Sequence, residues 1–182
     1  TFILIGMDQS FLKKKIENGL KYLKSKKFNE ATKCFEYLIK NKKTEITGLL
    51  YLGIISIEQN KEDDALKFFN KILDKDNYHE NANINSGLIY FRKKNFVKSS
   101  IYFEKILSKD NKNLIANLHK GIIDYKNLNF LSALNHFKIC EKINENIPQL
   151  QNYLGNIYFK QNKIELAIKY YKSAILKKNN DS

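Results

Sequence analysis

Few side chains in this sequence are equipped for chemistry. Its three histidines are His79, His119 and His136, and its two cysteines are Cys34 and Cys140. No two histidines stand in the HExxH spacing that puts two imidazoles on one face of a helix for a metal. The cysteines have neither CxxC spacing nor any other metal-ligand spacing, which predicts two reduced thiols in a reducing compartment, the cytoplasm. Asp63 and Asp64 are adjacent carboxylates of the kind used in acid–base work. They open the helical stretch "EDDALKFFNKIL", where negative charge complements the helix dipole, and that structural role is the expectation for both. There is no Gly-rich phosphate loop and no nucleophile elbow. The sequence therefore predicts a protein that is not an enzyme and that needs no cofactor and no metal.

The elements that would carry these residues are helices. The chain has 182 residues, one proline, seven glycines and abundant Ile, Leu, Phe and Tyr, a composition suited to a folded helical protein. No apolar run approaches the roughly 20 residues that span a bilayer, so no membrane insertion is expected. The opening "TFILIGM" is brief and follows no basic segment, so it does not read as a secretory signal. Residues 1–11 are expected to be an N-terminal extension or an expression remnant, with Met7 open as a native start. The net charge is +13, from 31 lysines and the single Arg92 against 19 acids. A nucleic-acid reader favours arginine, whose planar fork matches phosphates and guanine edges, so a lysine-coated solvated surface is the expectation and no specific nucleic-acid partner is predicted.

Order appears at a fixed period. Gly19, Gly53, Gly87, Gly121 and Gly155 recur every 34 residues. Twelve residues after each stand Ala31, Ala65, Ser99, Ala133 and Ala167, and four further on Phe35, Phe69, Phe103, Phe137 and Tyr171. Leu38, Ile72, Ile106, Cys140 and Ala174 follow three later. Stretches such as "GLIYF" and "ALKFFNKIL" space apolar residues three and four apart, as amphipathic helices do. The short polar links "SKK", "QNK", "KKN" and "NLN" suit helical hairpins. Pro148 fits the first turn of its helix.

This pattern resembles the tetratricopeptide repeat, a 34-residue pair of antiparallel helices with a small residue at position 8, alanine at 20 and an aromatic at 24. The repeats run 12–45, 46–79, 80–113, 114–147 and 148–181. The resemblance implies an all-α fold, an α-solenoid of five helix-turn-helix units wound as a right-handed superhelix, each repeat packing on its neighbours. Glycine at position 8 and the small residue at 20 are expected to let paired helices approach, with the aromatic at 24 filling the wider gap beside them. Two departures stand out. The tryptophan often found at position 4 is replaced by Lys15, Leu49, Asn83, Asn117 and Gln151, and the proline often at 32 by Lys43, Asn77, Asn111, Glu145 and Asn179. Looser repeat ends are expected from both. Arrays of the family end in a capping helix, whereas "KKNNDS" follows the fifth pair directly. A segment of a longer protein is the expectation, or self-association through the uncapped C-terminal repeat, since Ile168, Tyr171 and Ile175 would lack cover.

Function then falls to surface. In the family, first helices line a concave groove that holds a partner peptide or helix, through positions that include 5, 6, 9, 12 and 13. Position 5 gives Ile16, Leu50, Ile84, Leu118 and Asn152, and position 9 gives Leu20, Ile54, Leu88, Ile122 and Asn156. The groove residues this implies are Tyr51, Asn85, Leu88, Arg92, His119, Tyr125, Lys126, Asn152, Tyr153 and Asn156. Leucine and isoleucine at positions 5 and 9 are open to a second reading, packing against the adjacent repeat. Chaperone-adaptor members grip a C-terminal carboxylate with lysine at 5 and asparagine at 9; the first four repeats carry neither. Groove positions hold five positive and two negative charges, so most of the +13 lies elsewhere. The resemblance thus implies a protein-interaction scaffold. The alternative is the substrate-recruiting segment of a larger glycosyl- or sulfotransferase-like enzyme, and electrostatic binding to an anionic surface is a third class.

Overall fold

A computed structural model describes the backbone of residues 2–147 and 149–180, and side chains of residues 9–147 and 149–176. Pro148 lies outside the described residues. Among these residues there are ten helices and no strand: α1 (Phe2–Lys24), α2 (Phe28–Leu38), α3 (Glu45–Glu58), α4 (Glu62–Leu73), α5 (Glu80–Arg92), α6 (Phe96–Leu107), α7 (Leu114–Lys126), α8 (Phe130–Ile143), α9 (Leu150–Lys160) and α10 (Ile164–Asn180). The even-numbered helices begin at residues 28, 62, 96, 130 and 164, a constant step of 34.

That constancy comes from one turn used five times. Lys26, Asn60, Lys94, Leu128 and Asn162 all hold the left-handed conformation, with φ between 56° and 63°. At each, the first helix ends in a pair of backbone bonds. In the fourth repeat Leu128 N–H donates to Tyr125 O (3.1 Å) and Asn129 N–H to Asp124 O (2.8 Å). This is the Schellman arrangement, which satisfies carbonyls the helix leaves without partners. The polar links legible in the sequence are these turns.

Contacts divide the chain into two compact units, residues 1–89 and 90–182. In the first, α1 packs on α2, α3 on α4, and α2 on α3; in the second, α7 packs on α8, α9 on α10, α6 on α7, and α8 on α9. The rings of Phe35, Phe69, Phe103 and Phe137 and the small residues Ala31, Ala65, Ser99 and Ala133 are fully buried. The position-24 ring does not sit beside the glycine contact, as expected from the sequence, but on it. A Cβ added at Gly53 would lie 2.4 Å from Phe69 Cε1, and one at Gly121 would lie 2.6 Å from Phe137 Cε1. The absent side chain leaves room for the ring, so packing offsets the helix-propensity cost of about 1 kcal/mol.

The repeat ends are tied rather than loose. Buried Asn83 donates from Nδ2 to the carbonyls of Asn77 (3.0 Å) and His79 (3.1 Å). Asn117 does the same to Asn111 (2.9 Å) and Asn113 (2.9 Å), and Gln151 Nε2 reaches Glu145 O (3.2 Å). The amide at position 4 thus holds the loop at position 32 of the preceding repeat. The two departures from the family pattern meet one another: the amides that stand in place of tryptophan bond the backbone carbonyls of the residues that stand in place of proline.

Candidate functional site

First helices carry every groove residue expected from the sequence, and each unit presents its own set. In the first unit, Tyr51 on α3 stacks on buried Phe35 with centroids 4.8 Å apart. Asn85 on α5 turns its Nδ2 back to Asn81 O (2.8 Å), and Leu88 one turn further on is half-buried.

The second unit gathers more of them. Arg92 and Lys126 are exposed, the latter with Nζ 5.8 Å from the Phe96 ring centre. His119 stacks on Phe103 at 5.1 Å and meets the edge of Phe91 at 5.1 Å. Its Nδ1 lies 2.9 Å from Ile115 O, so Nδ1 carries the proton and Nε2 is left as an acceptor. Burial pushes its pKa down, keeping the ring neutral. Tyr153 stacks on Phe137 at 5.1 Å and meets the edge of Tyr125 at 5.2 Å. Position 6 therefore has a packing role in repeats 2, 4 and 5, where its ring covers the position-24 phenylalanine of the repeat before. Both readings held for positions 5 and 9 apply to Leu118 and Ile122, which are half-buried against the core around Phe137 and also line an opening.

That opening is an apolar hollow of about 150 Å³ between Leu118, Ile122, Ile147, Gln149 and Tyr153. A second, about 330 Å³, is bounded by Gln149, Asn152, Tyr153 and Asn156 and shares Gln149 and Tyr153 with the first. Asn152 is exposed, while Asn156 Oδ1 accepts from the Tyr171 hydroxyl (2.8 Å). An apolar hollow thus adjoins the side-chain amides of Gln149, Asn152 and Asn156. Ile147 and Gln149 were not among the expected residues. Gln149 has position 2 of its repeat, which the period makes legible; Ile147 reaches the hollow from the loop, with no signal in the pattern.

The residues first weighed for chemistry have structural partners. His79 Nδ1 accepts from Ala82 N–H (3.3 Å) at the start of α5. Asp64 pairs with Lys67 (2.7 Å), which holds its carboxyl below the usual range. Cys34 and Cys140 are buried free thiols, and burial raises Cys140 to about 11. No cluster of metal-ligating side chains occurs among the described residues.

Tetratricopeptide-repeat family models match residues 47–76 and 149–176. The chain carries tetratricopeptide repeats in these two stretches. The two matches fall within the windows of the second and fifth repeats. Solved structures agree in fold. A crystal structure of MamA is 17% identical at a TM-score of 0.76, covering 90% of this chain and 95% of that one. A MamA RS-1 double mutant is 13% identical at 0.79, covering 94% and 96%. Pseudomonas aeruginosa PilF is 15% identical at 0.79, covering 94% of this chain and 78% of that one. No protein of curated function matches the sequence. The fold is the all-α solenoid type of these proteins. Among the described residues no helix is long and apolar enough to cross a membrane.

Proposed function

We propose that this tetratricopeptide-repeat chain is a non-catalytic scaffold that holds a partner peptide or helix on the face of its first helices. The observation that carries the reading is the apolar hollow of Leu118, Ile122, Ile147 and Tyr153 continuing into the amides of Gln149, Asn152 and Asn156. An apolar side chain of the partner fills the hollow, and the amides bond its backbone, which is how a few anchors concentrate binding energy. Tyr51, Asn85 and Leu88 hold first-helix groove positions in the first unit, and in the second Arg92, His119 and Lys126 contribute two cations and an acceptor.

The test starts from peptides selected against the chain from a random library. Fluorescence anisotropy should show at least tenfold weaker binding for Asn152→Ala combined with Leu118→Ala, with an unchanged circular dichroism spectrum. Equal affinity in that folded variant removes the assignment. Self-association through α10 is a second role, supported by exposed Ile168, Ile175 and Leu176. Sedimentation velocity that reads a monomer across a hundredfold concentration range would remove it. The buried free thiols Cys34 and Cys140 support a reducing compartment, the cytoplasm.

A further inference from the structure

Positions 11 and 23 face one another across the helical hairpin in repeats 3, 4 and 5. Two repeats fill the pair with tyrosines: Tyr90 stacks on Tyr102 at 5.6 Å and 10°, and Tyr158 on Tyr170 at 5.4 Å and 14°. In repeat 4 the same positions hold Asp124 and His136. Repeat 1 holds Tyr22 and Cys34 at these positions. Repeat 2 has Ser56 and Phe68, so one ring of the pair is present and the other is not. Ser56 turns its hydroxyl back to Leu52 O (2.9 Å). What remains is a hollow of about 320 Å³ lined by Leu52, Ile55, Ser56 and Phe68, with lysines at the rim.

We propose that this hollow receives one tyrosine side chain from a partner protein. The chain's own tyrosines define the shape, since the vacant space faces Phe68 as Tyr90 faces Tyr102. The charge agrees as well. Lys163 lies over Tyr158 and Lys105 over Tyr102, each with Nζ 5.8 Å from the ring centre. The same register positions in repeat 2 are Lys61 and Lys71, both at the hollow. Lys67 is engaged by Asp64, and Glu36 is the remaining acid at the rim. An electron-rich ring meets ammonium groups on its face, the complement a cation–π contact requires. Along α3, Leu52, Ile55 and Ser56 share one face, and Leu50, Ile54 and Ile57 share the other. The hollow is therefore separate from the first-helix groove positions of its own repeat.

The experiment titrates a capped pentapeptide, four alanines around one central tyrosine, into methyl-labelled protein followed by NMR. Saturable shifts are expected at Leu52 and Ile55 and not at Leu118 or Ile122. The same peptide with central leucine should bind at least tenfold more weakly. Ser56→Tyr, which rebuilds the pair found in repeats 3 and 5, should keep the fold and abolish the shifts. Lys61→Gln with Lys71→Gln should weaken binding at least threefold. The proposal is overturned by an absence of saturable shifts, by equal affinity for the leucine peptide, or by shifts that persist in a folded Ser56→Tyr. Should Ser56→Tyr fail to fold, unchanged affinity in the double lysine variant overturns it. Binding of p-cresol without binding of the tyrosine peptide would make the hollow a small-molecule site and overturn it as well.

Discussion

His136 Nε2 stands 3.7 Å from Asp124 Oδ2, at the two register positions where other repeats stack tyrosine on tyrosine. Around this pair, Ser132 donates to Asp124 Oδ2 (2.6 Å) and Lys120 bridges to Glu104 (2.8 Å). Asn117 Oδ1 accepts from His136 Nδ1 (2.9 Å), which fixes the neutral tautomer. Burial depresses the His136 pKa, with Lys120 acting the same way and Asp124 and Glu104 opposing. A folded pKa below the unfolded value near 6.5 means the unfolded chain binds the proton first on acidification. The stability contributed is full above about pH 6.5 and is lost as pH falls toward the folded pKa. His119, depressed by burial, acts in the same direction. The urea midpoint followed by circular dichroism should fall between pH 7 and pH 5, and fall less in His136→Gln. A midpoint that rises over this range contradicts the assignment.

Glycine outside the 34-residue ladder matters as much as glycine within it. A Cβ at Gly48 would lie 2.8 Å from the carbonyl oxygen of Phe35, so α2 itself must move to admit it. At Gly121 the obstacle is the ring of fully buried Phe137, which has nowhere to swing. Gly48→Ala and Gly121→Ala should each destabilise by about 1–3 kcal/mol in urea titrations. A cost below about 0.5 kcal/mol at both sites would show that the neighbours yield freely.

Leu128 is a branched residue held at φ 63°, and its side chain is mostly exposed. The left-handed conformation costs an ordinary L-residue about 1–2 kcal/mol, a cost glycine does not bear. Leu128→Gly should raise stability by about 1 kcal/mol, read as a higher thermal midpoint. A lower midpoint would mean the turn is less strained than its φ implies.

Removing the Asn117 amide opens a loop and unseats His136 together. Asn117→Ala strips the bonds to Asn111 O and Asn113 O and the one to His136. A cost of about 1–3 kcal/mol is expected from buried groups left without partners. Amide hydrogen exchange in residues 108–113 should quicken with it; protection equal to wild type would place the loop's restraint elsewhere.

The period, the hairpins and the position-24 core could be read from the sequence because each is a local rule repeated at a fixed step. Gly53 and Phe69 appear in the same columns as Gly121 and Phe137, so one packing rule explains both. Gly48 was invisible for the opposite reason: its need for a bare backbone comes from α2, and no other repeat shares it. The exchange of tyrosines for Asp124 and His136 is visible as a departure in register, but its meaning requires both positions to be seen facing each other. The groove residues were reached by laying the family resemblance onto the period. Only their side-chain contacts show that Tyr51, His119 and Tyr153 also cover core rings.

Each left-handed turn closes its hairpin through bonds that span no more than five residues. The information needed to shape one unit is therefore contained inside that unit. A hairpin closed in this way can be duplicated whole, because the copy brings its own turn with it.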